Sequence, residues 1–136
     1  MPEAKVTMQA RTVNGIAGII DIQGELNAFA EGILMEMYNT VNTPNIHAII
    51  LNFSEMEYMN SSGIGLIVTL LIRANRQKQR LFGYGLSEHY QNIFQLTRLN
   101  DSIQLYANEN EAIKALRSAG TVTENRPRFF KRRETR

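Results

Sequence analysis

The chain has 136 residues, 43% of them hydrophobic and 21% charged, which is one domain's worth of ordinary globular composition with enough apolar mass for a sizeable core. It contains no cysteine, which excludes disulfides, thiol catalysis and cysteine metal sites together, and no apolar run reaches the length of a membrane span. The N-terminus lacks the basic and apolar regions of a secretory signal, so a cytoplasmic location is expected; the net positive charge belongs to residues 121–136, with six Lys/Arg against two acidic residues, whereas 1–120 hold nine against eleven.

Val6 to Thr12 alternates Val6, Met8 and Ala10 with polar neighbours, and Ile16, Ile20 and Ile22 recur on even positions after it, so both read as strands. Asn14-Gly15 between them predicts a two-residue hairpin turn, and hence an antiparallel pair at the start of the sheet. Gly24 to Asn27 is expected to break the second strand, with Asn27 capping a helix that carries Ala30, Ile33, Leu34, Met37 and Val41 on one face and ends at Thr43-Pro44-Asn45. Gly32 inside this helix hints at close packing there.

His47 to Phe53 is an almost unbroken apolar run, which suits a strand covered on both faces. Ser54 to Tyr58 has no periodic pattern and reads as a polar turn. Asn60-Ser61-Ser62 then offers three consecutive capping residues, followed by Ile64, Ile67, Val68, Leu71 and Ala74 at helical spacing. Leu66, Leu70 and Ile72 add apolar surface elsewhere, which predicts a helix buried on most sides at its start. Arg73, Arg76, Lys78 and Arg80 close the segment as a solvated cationic run suited to a helix C-terminus.

Leu81 to Leu86 predicts another strand, with Gly83 and Gly85 as points of close approach or a bulge. Ser87 caps a short helix bearing Tyr90, Ile93, Phe94 and Leu96, and Ile103 to Tyr106 is a last strand. Asn108 with Glu111 three residues on opens a helix with Ala112, Ala115 and Leu116, and Gly120 closes the domain. This organisation gives an α/β domain over 1–120 and a basic tail over 121–136, read as disordered. Basic residues around Phe129-Phe130 suit an acidic lipid surface, nucleic acid or an acidic partner, and a solubilising tail that binds none of these is the plain reading beside them; the domain itself has no basic patch arguing for DNA.

The chemistry legible in these residues is that of a receiver. Backbone N–H groups at a helix start lack intrahelical partners and carry partial positive charge, so an anion on Ser61 or Ser62 would be well placed, and Gly63 and Gly65 leave room for close approach. A plain structural reading, in which Asn60 or Ser61 only caps a core helix, stands beside it. Ser61 lacks the glycine of a nucleophile elbow, no phosphate loop is present, and the carboxylates are scattered rather than spaced as metal ligands. His47, read as lying in a buried strand, and His89 have no context that makes either a general base. The sequence therefore predicts no catalytic residue, no metal and no cofactor.

The segment L-N-F-S-E-M-E-Y-M-N-S-S-G-I-G-L-I-V resembles the central motif of the STAS domain family, the sulphate-transporter and anti-sigma-factor-antagonist domains. Two more stretches agree in order and spacing: I-D-I-Q-G-E-L-N-A at 20 to 28 is similar to the family's early motif, and I-F-Q-L-T-R-L-N-D-S-I at 93 to 103 to its late one. The resemblance covers roughly residues 6 to 117. It implies a mixed, mostly parallel sheet of about five strands opened by an antiparallel hairpin and packed by about four helices.

For single-domain antagonists the resemblance further implies a partner-switching cycle. An anti-sigma factor that is itself a serine kinase would phosphorylate Ser61, with Ser62 the second choice, and a serine phosphatase would reset it. Asn27, Met59, Asn60, Gly63 and Ile64 are the expected partner-contact residues. The sequence departs from the family pattern by carrying Asn27, Asn52 and Asn60 where aspartate is common, all three expected on the edge where strands hand over to helices. Two other readings stay open: a STAS scaffold or complex subunit that is never phosphorylated, and a small anionic-ligand-binding module using the same helix start.

Overall fold

Asn14 and Gly15 take positive φ angles of 56° and 69° in the computed structural model, which describes residues 5–122. They reverse the chain between β1 (Val6–Val13) and β2 (Ala17–Leu26), which pair antiparallel from Val6↔Gly24 to Val13↔Ala17. Because Val13 pairs with Ala17, the loop holds three residues, not the two expected: Ile16 donates its N–H back to Val13 and remains outside the ladder.

β3 (Ala48–Met59), β4 (Arg80–Tyr84) and β5 (Ile103–Tyr106) follow in parallel, giving a five-stranded sheet in the order β1-β2-β3-β4-β5. Strict alternation then divides the core in two. Ile20, Ile22, Ile49, Leu51 and Phe53 point to the face covered by α1 (Glu31–Val41), α2 (Ser61–Arg76) and α3 (Glu88–Leu96). Ala17, Ile19, Ala48, Ile50 and Phe82 point to the other, where α4 (Glu109–Val122) supplies Ala112 and Leu116. The mixed sheet and four helices are those the sequence predicts.

Several local expectations are overturned. β2 does not break at Gly24, and Ser54 to Tyr58 is not a turn: the two strands continue as a paired ribbon, Gln23↔Glu55, Gly24↔Met56, Glu25↔Tyr58 and Leu26↔Met59. The ladder absorbs two register shifts on the way, one on each side of Gln23↔Glu55 and Gly24↔Met56, and Gly24 at φ +99° supplies the backbone conformation that a side chain would resist. The ribbon is largely solvent-facing, so it shows no hydrophobic alternation. β4 ends at Tyr84 and does not reach Leu86.

α2 is buried along one stripe, Gly63, Leu66, Ile67, Leu70 and Ala74, while Ser61, Ser62 and Gly65 are exposed, so its start is not buried on most sides. Leu96 is 83% exposed and belongs to no core. Gly32 is exposed with open space where a Cβ would stand, which removes the close-packing reading. His47 precedes β3 and is exposed, and α4 runs through Gly120 to Val122. Gly83 and Gly85 do mark close approaches, to the Phe53 ring and to Ser54. The tail expected from 121 onward lies outside the described residues beyond Val122.

Candidate functional site

The β2–β3 ribbon delivers two chain ends to one corner. Leu26 pairs with Met59, so the next residues, Asn27 and Asn60, leave the sheet side by side, and each opens a helix. Both asparagines spend the side-chain oxygen on a cap. Asn27 Oδ1 accepts from the Phe29 N–H at 2.9 Å and opens a single 3-10 turn, Ala28–Ala30, that leads into α1. Asn60 Oδ1 accepts from the Gly63 N–H at 2.9 Å while its carbonyl accepts from Ile64 at 3.0 Å.

The corner is stitched together beneath its surface. The Asn60 N–H donates to the Leu26 carbonyl at 3.3 Å, and the Met59 N–H donates to the buried Tyr90 hydroxyl of α3 at 2.9 Å. Gly63 packs so closely on the end of β2 that a Cβ there would stand 2.2 Å from the Leu26 carbonyl oxygen and 2.8 Å from Met59 Cγ. The start of α2 therefore has one permitted position against the sheet.

This framework separates the predicted site residues into two groups. Ser61 and Ser62 occupy the first two positions of α2 and are both exposed. Their backbone N–H groups have no acceptor among the described residues, which leaves donors and the positive end of the helix dipole beside both hydroxyls. Asn27, Asn60 and Ile64 are partly exposed around them. Met59 and Gly63 are buried and form the floor of the corner, not its surface.

Sequence reasoning missed the two largest side chains at the surface here. Phe29, 57% exposed, lies two residues past Asn27, and Tyr58, 52% exposed, two residues before Asn60. An aromatic beside a helix cap was the available signal for Phe29. Tyr58 was hidden by reading its segment as a turn.

Asn52 does not belong to this corner. It sits eight residues before Asn60 along β3 and faces the α4 side of the sheet, where its amide N–H donates to Asp21 Oδ1 at 2.7 Å and its oxygen accepts from the Ser54 N–H at 2.9 Å. Arg11 grips Asp21 with two hydrogen bonds, of 2.8 and 2.9 Å, and Glu109 at the start of α4 with another of 2.7 Å. The Tyr84 hydroxyl donates to Glu109 at 2.8 Å. The Arg11 guanidinium holds both the Asp21 and Glu109 carboxyls below the usual carboxylate range, and burial raises the Tyr84 phenol. Four strands and a helix are joined by this one network, in which the amide of Asn52 is what allows a neighbour to approach the Asp21 carboxylate.

Among the described residues, no group of three His, Cys, Asp or Glu side chains is arranged to hold a metal ion, and no helix is long and apolar enough to cross a membrane. The family model described as STAS domain matches residues 7–112. An anti-sigma-B factor antagonist of Staphylococcus epidermidis is 27% identical over 95 residues, covering 70% of this chain and 86% of the relative. Among solved structures, the anti-sigma factor antagonist SpoIIAA in its unphosphorylated form aligns with TM-score 0.62 at 23% identity, over 82% of this chain and 98% of the other. The Bacillus cell fate determinant SpoIIAA in the phosphorylated form aligns with TM-score 0.64 at 24% identity, over 81% and 99%.

Proposed function

This chain belongs to the STAS domain family, and from that premise we propose that it is an anti-sigma-factor antagonist: a binding protein, not an enzyme, switched by phosphorylation of Ser61. The relatives named as antagonists support the regulatory class. The observation that carries the switch is the exposed Ser61 hydroxyl at the first position of α2, beside unpartnered backbone N–H groups and on a corner that Gly63 and Asn60 hold in place. An anti-sigma factor serine kinase is the proposed partner, and a serine phosphatase resets the cycle.

In this reading Asn27, Asn60 and Ile64 form the contact surface, Met59 and Gly63 support it from below, and Phe29 and Tyr58 are the aromatic anchors. Exposed aromatics that become desolvated carry a large share of binding energy at protein interfaces. A phosphate brings about −1.5 to −2 charges at neutral pH. Its own helix start accommodates that charge, but an apposed surface shaped for a neutral hydroxyl has to desolvate or repel it. A penalty of roughly 3 to 4 kcal/mol, in the range for a poorly paired buried charge, weakens binding by about two to three powers of ten. Glu25, Glu31 and Glu57 flank the corner in sequence and add to the repulsion of an acidic partner surface.

The test is intact and peptide-level mass spectrometry after incubation with the anti-sigma kinase encoded in the same genome, with partner pull-down in parallel. Ser61→Ala is expected to abolish the mass gain and keep the partner, whereas Ser61→Asp loses it and Ser62→Ala changes neither. Modification at Ser62 alone would move the switch by one residue. An unmodified Ser61, with both substitutions retaining the same partners, would establish the scaffold reading instead.

A further inference from the structure

The sheet has two outer strands of unequal length: β5 has four residues and β1 has eight. Among the described residues β1 pairs with β2 alone, in one unbroken register from Val6↔Gly24 to Val13↔Ala17. At its start the Glu25 N–H donates to the Lys5 carbonyl, and at its end the Val13 carbonyl accepts from Ile16, so the odd-numbered residues of β1 turn their backbone groups inward. The alternation of an antiparallel ladder then sends the N–H and C=O of Val6, Met8, Ala10 and Thr12 outward. No other strand, helix or turn of the described residues supplies these groups with a partner.

Strands that stay at an edge are commonly blunted by proline, lysine or a bulge. Between Val6 and Val13 there is none of these. The single charge of the strand, Arg11, is held on the α4 face by Asp21 and Glu109. The outward residues are also symmetric about Gln9, since 6, 8, 10 and 12 read backwards fall on one another. An antiparallel second copy of β1 with Gln9 on the two-fold axis therefore engages all of them together, Val6 facing Thr12 of the other copy and Met8 facing Ala10. The side chains suit that register as well. On the α4 face Thr7 meets Arg11 and Gln9 meets Gln9, whose amides can match donor to acceptor. On the α1 face Val6, Met8 and Ala10 extend an apolar layer they already join. Lys5 falls opposite Val13, so no two like charges are apposed.

We propose that β1 is the interface between two copies of this chain, paired antiparallel about Gln9 so that one sheet runs through both. A second copy is favoured over a foreign strand because the outward groups and the charges of β1 complement their own reverse. A two-fold contact also closes on itself, and leaves only the short β5 at either end of the joined sheet. β2 lies between β1 and the end of β3 that leads to Ser61, so each copy keeps its own Ser61 corner. The proposal is independent of whether Ser61 is phosphorylated.

Sedimentation velocity of the full chain across a wide concentration range tests it, and a monomer–dimer equilibrium is expected. Ala10→Pro removes an outward N–H and no bond to β2, so it is expected to keep the fold by circular dichroism and to raise the dimer dissociation constant about tenfold or more. Gln9→Lys, at an exposed position, sets two cations face to face on the axis and is expected to raise it too, by less as salt rises. Because the chain has no cysteine, the register can be read by cross-linking. Gln9→Cys is expected to oxidise to a covalent dimer, since facing residues of a non-hydrogen-bonded pair bring their Cα atoms to about 4.5 Å, within reach of a disulfide. Thr12→Cys, which faces Val6 in this register, is expected to stay uncoupled. A chain monomeric at every concentration, a dimer indifferent to both Ala10→Pro and Gln9→Lys, or cross-linking as efficient at position 12 as at position 9 would each overturn the proposal.

Discussion

Asparagine does opposite jobs on the two faces of this sheet. At the Ser61 corner, Asn60 is a helix cap whose oxygen takes one backbone N–H, with solvent and two exposed serines beside it. On the α4 side, Asn52 lies inside a charged network, with its N–H on a carboxylate and its oxygen on Ser54. The first region is rigid in backbone and open in side chains; the second has nearly every polar group spoken for. In the first the cap engages only the side-chain oxygen, whereas in the second the amide N–H meets a carboxylate, and the residue type alone does not tell the two apart.

The backbone of the open region is its least tolerant part. Gly63→Ala would put a Cβ 2.2 Å from the Leu26 carbonyl oxygen, a backbone atom that cannot swing aside. Either α2 shifts off the sheet or the ribbon bends. We expect a loss of about 3 kcal/mol or more, in the range of severe overpacking, read as a fall in urea midpoint. A loss under about 1 kcal/mol would mean that the corner is pliable and that its geometry is not what presents Ser61.

In the closed region the largest effect follows from Arg11→Ala, which leaves Asp21 and Glu109 without their shared cation. Arg11 is 40% exposed, so solvent screens part of its contribution. The expected cost at neutral pH is about 1 to 2 kcal/mol. Its pH dependence has a definite sign. Asp21 and Glu109 have folded-state pKa values below their unfolded ones, so their stabilisation is present above the ordinary carboxylate range and disappears as pH falls through the lowered values. The gap between the native protein and Arg11→Ala should therefore narrow on acidification below about pH 4. Denaturation curves across that interval check it, and a gap that widens would refute the network.

Most of the fold was legible because the layered core imprints its periods on the sequence. The apolar run of Ile49 to Phe53 and the Val6 alternation identify strands that helices cover. The ribbon of Ser54 to Met59 escaped because backbone pairing with β2 holds it while no helix lies over most of it, so selection for burial leaves no alternating pattern. The phase of α2 was ambiguous for a related reason. Two apolar stripes fit its spacing, and the one actually buried begins with Gly63, which adds nothing to a hydrophobic pattern. The proposed acceptor and its cap were readable from Asn60-Ser61-Ser62, but the aromatics flanking them and the separation of Asn52 from Asn60 depend on the ribbon.

The same substitution made at the two asparagines tests that separation directly. Asn52→Asp would bring a second carboxylate to the Asp21 oxygen that now accepts a hydrogen bond at 2.7 Å, with Arg11 already committed to both acids. A cost of about 1 to 2 kcal/mol at neutral pH is expected, since a favourable contact becomes a like-charge one in a half-buried setting. Because that contact raises a carboxyl pKa in the folded state, the penalty should fade as acid protonates the pair, which is opposite in sign to the ordinary acid loss of Asp21. Asn60→Asp keeps an oxygen acceptor for the Gly63 N–H and places negative charge at a helix start, so its effect on stability is expected within about 0.5 kcal/mol of zero. If kinase recognition needs an acid before the phosphoacceptor, Asn60→Asp will speed modification of Ser61 without changing the unfolding midpoint. Equal destabilisation by the two substitutions would show that the regions are not chemically distinct; a stable Asn60→Asp beside a pH-sensitive Asn52→Asp would show that one asparagine was free to be chosen by a partner and the other was fixed by Asp21.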